Sequence, residues 1–231
     1  MRGSELTRDM VMAGCFRLLD AGSLRIGGEG YAKDNGSFGL ATLRRDHVEV
    51  TGNRVSFEFM GKSATRQTGQ LRDASLARLV VELLASDDDH EELFGWWTPE
   101  GWHDLKSNEV NAYLRELLGE GASAKDFRTW NATVLMAQRL GLTDVPGASP
   151  RTRMTLVRAA YRDVADYLGN TPAVARSSYV DPRIVDLFQS GTTLPRDVLP
   201  TRDVQMPVHP AVERAVRAML NAVTVPISRA A

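Results

Sequence analysis

The apolar positions along the chain change their period several times. Val11, Cys15, Leu18 and Leu19 recur at the spacing of one helix face, and Gly22 is a natural stop. Phe38-Gly39-Leu40-Ala41-Thr42-Leu43 then reads as a strand. His47–Val50 and Arg54–Phe59 alternate strictly about Thr51-Gly52-Asn53, which predicts an antiparallel hairpin with one buried face. Gly61-Lys62-Ser63 closes the second strand, and 65–71 is placed as a returning third. Leu76, Leu79, Val80, Leu83 and Leu84 restore the helical period. A helix from Ser107 follows, with Val110, Leu114, Leu117 and Leu118 inward.

Capping chemistry marks the next boundaries. In Ser123-Ala124-Lys125-Asp126 an acid stands three residues after a serine, the signature of a reciprocal N-terminal cap. Phe127, Trp130, Val134 and Ala137 continue that helix to Gly141. Pro146 and Pro150 punctuate a loop before a further helix bearing Met154, Val157, Tyr161, Val164 and Leu168, with Gly169 as its C-cap. Asn170-Thr171-Pro172 restarts a helix, with Asn170 read as the cap and proline at a tolerated first-turn position. Beyond Gly191 the chain is punctuated by Pro195, Pro200, Pro207 and Pro210 and ends in one short helix, about 210–223, and a fraying tail. These elements make an α+β domain, mostly helical, with one small antiparallel sheet. The strands are sequence neighbours without crossover helices, which disfavours a doubly wound parallel sheet. The expected division is a domain over 1–191 and a proline-punctuated extension over 192–231.

Composition narrows the function classes. The chain has 231 residues, 43% hydrophobic and 25% charged, enough for a substantial core. It contains no apolar run long enough to span a bilayer, so no membrane partner is expected. Residues 1–24 lack the apolar core of a secretory signal. One cysteine, Cys15, makes neither an internal disulfide nor a cysteine-based zinc site and fits a reducing cytoplasm. His47, His90, His103 and His209 form no ligand-spaced pair, so no metal site is expected.

The net charge of −1 conceals an asymmetry. Residues 22–72 hold 8 basic and 5 acidic side chains, residues 73–124 hold 3 and 12, and residues 151–183 hold 6 and 3. The acidity centres on Asp87-Asp88-Asp89-His90-Glu91-Glu92, read as a solvated loop. The two basic stretches are candidates for an anion-binding face.

Several motifs fail on context. Gly27-Gly28-Glu29-Gly30 lacks the spacing and the strand–helix setting of a dinucleotide loop. Gly61-Lys62-Ser63 ends like a phosphate loop, but Ser56 occupies the required upstream glycine position, so no nucleotide cofactor is expected. No serine sits in a nucleophile elbow. What remains is a set of polar residues at junctions: Arg25 after the first helix, Lys62 at the hairpin tip, Lys125 and Arg128 one turn apart at a helix start, and Asn170 and Tyr179 flanking a short helix.

Taken in order, the segments carrying these residues resemble the type IB DNA topoisomerases, specifically the small poxvirus-like group found in bacteria. The matching segments are Arg25-Ile26-Gly27, Tyr31, Gly39-Leu40-Ala41-Thr42-Leu43 with His47, and Phe59-Met60-Gly61-Lys62. They continue with Val110-Asn111-Ala112-Tyr113-Leu114-Arg115-Glu116, Ala124-Lys125-Asp126-Phe127-Arg128-Thr129-Trp130, Leu168-Gly169-Asn170-Thr171-Pro172 and Ser178-Tyr179-Val180-Asp181-Pro182. The resemblance covers roughly residues 5–190. The related tyrosine recombinases carry His-x-x-Arg where this chain has Lys125-x-x-Arg128, which favours the topoisomerases.

The resemblance implies a site and a reaction. Tyr179 would attack a DNA phosphodiester to form a 3′-phosphotyrosyl link and a free 5′-hydroxyl. Arg25 and Arg128 would brace the phosphate, Lys62 helped by Lys125 would protonate the leaving oxygen, and Asn170, where many relatives carry His, would donate a hydrogen bond. These five residues together with Arg176 would also bind the DNA. The implied protein is an ATP-independent isomerase. It is expected to act as a monomer on double-stranded DNA in the cytoplasm at the nucleoid, without cofactor or metal. Family members also carry an N-terminal domain that closes around the duplex. Here the chain begins almost at the first catalytic helix, and Met1-Arg2-Gly3-Ser4 reads as a cloning leader or the start of a truncated product. The expectation is intact chemistry with a weak, salt-sensitive grip. A tyrosine recombinase and a non-catalytic DNA-binding relic are the alternatives.

Overall fold

The computed structural model describes residues 6–22, 24–86, 90–143, 146–200 and 210–223. The chain forms two compact units, Met1–Arg128 and Thr129–Ala231. Met1–Ser4, Asp87–Asp89, Pro207, His209 and the tail after Val223 lie outside the described residues.

The first unit combines helices with two small antiparallel sheets. Helix α1 (Arg8–Gly22) buries the predicted stripe, with Val11, Cys15 and Leu19 at 0% exposure. Full burial pushes the Cys15 thiol well up, so it is packing and not a nucleophile. A short helix α2 (Glu29–Asn35) follows, absent from the sequence reading and without buried residues. The hairpin forms as predicted: β1 (Val48–Thr51) pairs with β2 (Arg54–Gly61), and Gly52 supplies the positive φ of 61° that the two-residue turn demands. Strand β3 (Thr65–Arg72) pairs on the other side of β2. Val55, Phe57 and Phe59 point into the core, and the ring of Phe57 occupies the space above its cross-strand partner Gly69. Helix α3 (Ala74–Leu84) starts on Asp73, whose carboxylate accepts from the N–H groups of Ser75 and Leu76. It packs against α1, where Leu79 fills the space beside Gly14.

A second hairpin, β4 (Gly95–Thr98) and β5 (Gly101–Asp104), was not expected from the sequence. Helix α4 (Ser107–Leu118) buries Val110 and Leu114, but Leu117 and Leu118 are exposed, contrary to expectation, because the helix outruns the core it covers. The predicted strand at 38–43 is instead a 3₁₀ turn over Leu40–Thr42. The N–H groups of Leu40 and Ala41 reach back to the carbonyls of Arg25 and Ile26, and the Thr42 hydroxyl accepts from the Gly39 N–H. The flank of the acidic run is not simply solvated: Glu91 pairs with Arg44 at 2.8 Å.

Helix α5 (Ala124–Thr143) contains the division between the units. Half of its predicted reciprocal cap is present: Asp126 accepts from both the N–H and the hydroxyl of Ser123, while the Asp126 N–H donates to the Ser123 carbonyl. It runs past Gly141, where the missing side chain lets Leu199 and Leu194 pack closely. The second unit is entirely helical among the described residues: α6 (Pro150–Leu168), α7 (Pro172–Ser178), α8 (Pro182–Gln189) and α9 (Pro210–Ala222). Gly169 adopts the left-handed conformation at φ 60° that ends α6 as predicted. The cap of α7 is Thr171 rather than Asn170, because it is the Thr171 hydroxyl that accepts from Val174 N–H. Met154, expected inside, is exposed. Leu194, Leu199, Val212, Val216 and Leu220 belong to the second core, so the chain beyond 192 is part of this unit's packing.

Candidate active site

Arg25 is half-buried on a segment with no regular structure of its own. The Arg25 carbonyl accepts from the Leu40 N–H (2.9 Å) and the carbonyl of the next residue, Ile26, from the Ala41 N–H (2.8 Å). Gly27 and Gly39 allow that pairing. A Cβ on Gly39 would stand 2.5 Å from Gly27 N and 2.7 Å from the Arg25 carbonyl oxygen. Phe38, one residue earlier, donates its N–H to the Met60 carbonyl at 2.8 Å. The strap that positions Arg25 is therefore tied to the strand leading to Lys62, two residues further on.

Lys62 is exposed at the tip between β2 and β3. The tip is three residues wide, and Ser63 (φ 62°) and Ala64 (φ 53°) both take the left-handed conformation that side chains resist. The ammonium is thus carried on a strained projection whose base is pinned by the sheet.

Lys125 and Arg128 lie one turn apart on α5, the lysine exposed and the arginine only 4% exposed. Burying a guanidinium is costly unless its charge is used. The helix start beneath them is fastened twice. Asn111 on α4 accepts from Ala124 N–H at 3.0 Å, and Phe127 meets Phe16 edge to face at 5.2 Å. Asn111 lies in a segment quoted above for its resemblance, but its role as an anchor needed the structure.

In the second unit Asn170 is half-buried and follows the left-handed Gly169, its N–H donating to Ala165. Helix α7 separates it from Tyr179, and exposed Arg176 lies one turn before the tyrosine. Tyr179 is half-buried at the C-cap of α7, and its N–H donates to the Ala175 carbonyl. Thr133, buried on α5, secures the chain immediately after it. The hydroxyl donates to the Tyr179 carbonyl at 3.3 Å and accepts from Asp181 N–H at 3.1 Å. Asp181 also caps α8 and pairs with Arg183 at 2.6 Å; that guanidinium holds its carboxyl below the usual range. Tyr161, by contrast, lies in the core, where burial raises its hydroxyl. Sequence reasoning passed over Thr133; the available signal was a hydroxyl in an otherwise apolar helix stripe, Ala132 to Leu135.

The predicted residues divide between the units: Arg25, Lys62, Lys125 and Arg128 belong to the first, Asn170, Arg176 and Tyr179 to the second.

A family model described as eukaryotic DNA topoisomerase I, catalytic core, matches residues 2–189. DNA topoisomerase 1B of Acanthamoeba polyphaga mimivirus is 29% identical over 176 residues, covering 73% of this chain and 52% of that protein. DNA topoisomerase 1B of Vaccinia virus (strain Copenhagen) is 25% identical over 167 residues, covering 72% and 50%. DNA topoisomerase 1 of Schizosaccharomyces pombe is 30% identical over 139 residues, covering 59% and 16%. The chain spans about half the length of the viral relatives it matches.

Proposed function

The chain belongs to the family of the eukaryotic DNA topoisomerase I catalytic core, in its poxvirus-like type IB form, and on that premise we propose that it relaxes supercoiled DNA through a transient single-strand break. The Tyr179 hydroxyl attacks a backbone phosphorus and gives up its proton to solvent water. The bond from phosphorus to the 5′ oxygen breaks, and a 3′-phosphotyrosyl link forms. Lys62, with Lys125, delivers a proton to the departing 5′ oxygen, an alkoxide that leaves poorly without one. Arg25 and Arg128 meet the charge growing on the non-bridging oxygens; their forked donors suit that geometry. Asn170 adds a hydrogen bond. Attack by the 5′-hydroxyl reverses each step and reseals the strand after the duplex has swivelled. One phosphoester replaces another throughout, so the reaction needs no ATP, and the two guanidiniums supply the positive charge without a metal.

The observation that carries this reading is the mounting of Tyr179. Its backbone is bonded to Ala175 and Thr133, and the next residue but one is bonded to Thr133 as well. A nucleophile must be held to within a fraction of an ångström to benefit from orientation. The measurement that tests the reading is relaxation of supercoiled plasmid, without ATP and with a chelator, beside Tyr179→Phe. Relaxation and a covalent protein–DNA adduct in the parent, and neither in the variant, are the expected results. An adduct that survives Tyr179→Phe, or relaxation only on plasmids bearing one particular site, would overturn it.

A further inference from the structure

Helix α9 presents two faces. Val212, Val216 and Leu220 are buried, while Arg214 and Arg217 stand one turn apart on the solvent side. Two like charges at that spacing repel each other. The ordinary remedy is at hand, since Glu213 lies four residues before Arg217. The structure uses Glu213 differently: its carboxylate accepts from the Trp130 indole N–H at 2.8 Å. Arg214 and Arg217 make no ion pair among the described residues. Trp130, Pro210, Glu213, Arg214 and Arg217 together line an open cleft of about 500 Å³.

The cleft is tied to the candidate nucleophile's mounting. Trp130 and Thr133 are one turn apart on α5, the first holding α9 and the second holding Tyr179. At the far end of α9 the Leu220 carbonyl accepts from Arg183, the residue paired with Asp181. One part of the helix is therefore fastened to α5, which also holds Tyr179, and its far end to Arg183, four residues beyond Tyr179.

We propose that the Arg214–Arg217 face of α9 is a second DNA contact, gripping backbone phosphates of the duplex that Tyr179 cuts. Guanidiniums are the side chains suited to phosphate oxygens, and Trp130 beside them offers an apolar wall for a sugar. The inference rests on the DNA reading given above. It accounts for a cationic face in a chain of net charge −1.

The test is binding of the full chain to a plain duplex at stepped salt concentrations, in a Tyr179→Phe background that prevents covalent trapping. Each phosphate contact adds about 0.9 to the slope of log affinity against log salt. Arg214→Gln with Arg217→Gln is expected to lower that slope by about 2, while the single-turnover cleavage rate at saturating protein, measured with Tyr179 restored, stays unchanged. Glu213→Gln, which keeps an acceptor for Trp130 and removes the neighbouring negative charge, is expected to tighten binding. An unaltered slope overturns the proposal, as does capture of a polyglutamate peptide by this face with no change in DNA binding. A lowered slope without any Tyr179-dependent adduct leaves the DNA contact standing and removes the topoisomerase reading instead.

Discussion

The two units hold their candidate residues by different means. In the first, Arg25 is placed by main-chain pairing, its own carbonyl with Leu40 and that of Ile26 with Ala41, and by two glycines with no room for a methyl group, and Lys62 by the sheet beneath its strained tip. In the second, Tyr179 is placed by one side-chain hydroxyl and by helix ends, Thr133 and the caps of α7 and α8. Main-chain pairing tolerates many side chains but no intrusion into its volume. A hydroxyl clamp tolerates volume changes nearby but not the loss of one atom.

Substitutions can break that contrast. The largest effect is expected at Gly39→Ala, whose methyl would meet only backbone atoms. Stability should fall toward the upper end of the ~1–3 kcal/mol range of overpacking, and relaxation by at least about tenfold as Arg25 is displaced. Denaturant unfolding and plasmid relaxation read both effects, and Gly30→Ala, within α2 and with open space around it, should leave relaxation unchanged and raise stability by ~0.4–1 kcal/mol.

Thr133→Val comes next. It leaves the Asp181 N–H and the Tyr179 carbonyl without the hydroxyl between them, at ~1–3 kcal/mol for each buried group left unsatisfied. The cleavage step should slow about tenfold with duplex affinity unchanged. Thr133→Ser should restore the rate; failure to do so would show that the methyl group, not the hydroxyl, matters.

Asp73→Ala removes a cap and the partner of Arg17 (2.6 Å) from the first unit, an expected loss of ~1 kcal/mol. Burial pushes the Asp73 carboxyl up, but the N–H groups of Leu76 and Ser75 and the Arg17 guanidinium outweigh it, and the net shift is downward. A carboxyl depressed in the folded state stabilises the protein above its unfolded value, ~3.9, and loses that contribution as pH falls through the folded value. The deficit of the variant should be full near neutrality and shrink on acidification below about pH 4, as thermal unfolding at stepped pH would show.

The smallest effect is Ala64→Gly, which relieves one left-handed residue at the hairpin tip. Relief of strain and the greater entropy of unfolded glycine oppose each other, so the expected gain is no more than ~0.5 kcal/mol. A clear loss in melting temperature would show that the tip is not strained.

Much of this architecture is legible in the residues themselves, and the boundary follows contact range. Ser123 with Asp126, Gly169 and Gly52 act within four residues of their own positions, so caps and turns were readable at sight. The β4–β5 hairpin escaped because four-residue strands are too short to show a period, although Pro99-Glu100-Gly101 between Trp97 and Trp102 is a turn signal. Helix α8 escaped as well, although Asp181-Pro182 is an N-terminal signature.

The sequence by itself therefore determined the helices other than α2 and α8, the three-stranded sheet, the lysine at its tip and the ordered set of basic residues and tyrosine that marks the family. Tertiary structure alone decided that 38–43 folds back on Arg25 as a 3₁₀ turn, that Leu117 and Leu118 stay outside, that Thr133 grips the chain around Tyr179 46 residues away, and that Glu213 turns from Arg217 to Trp130 83 residues away. The physical reason is range. A local pattern sets the conformation of a segment and which face is apolar, but a hydrogen bond between distant segments exists only once packing has brought donor and acceptor within 3.5 Å of each other.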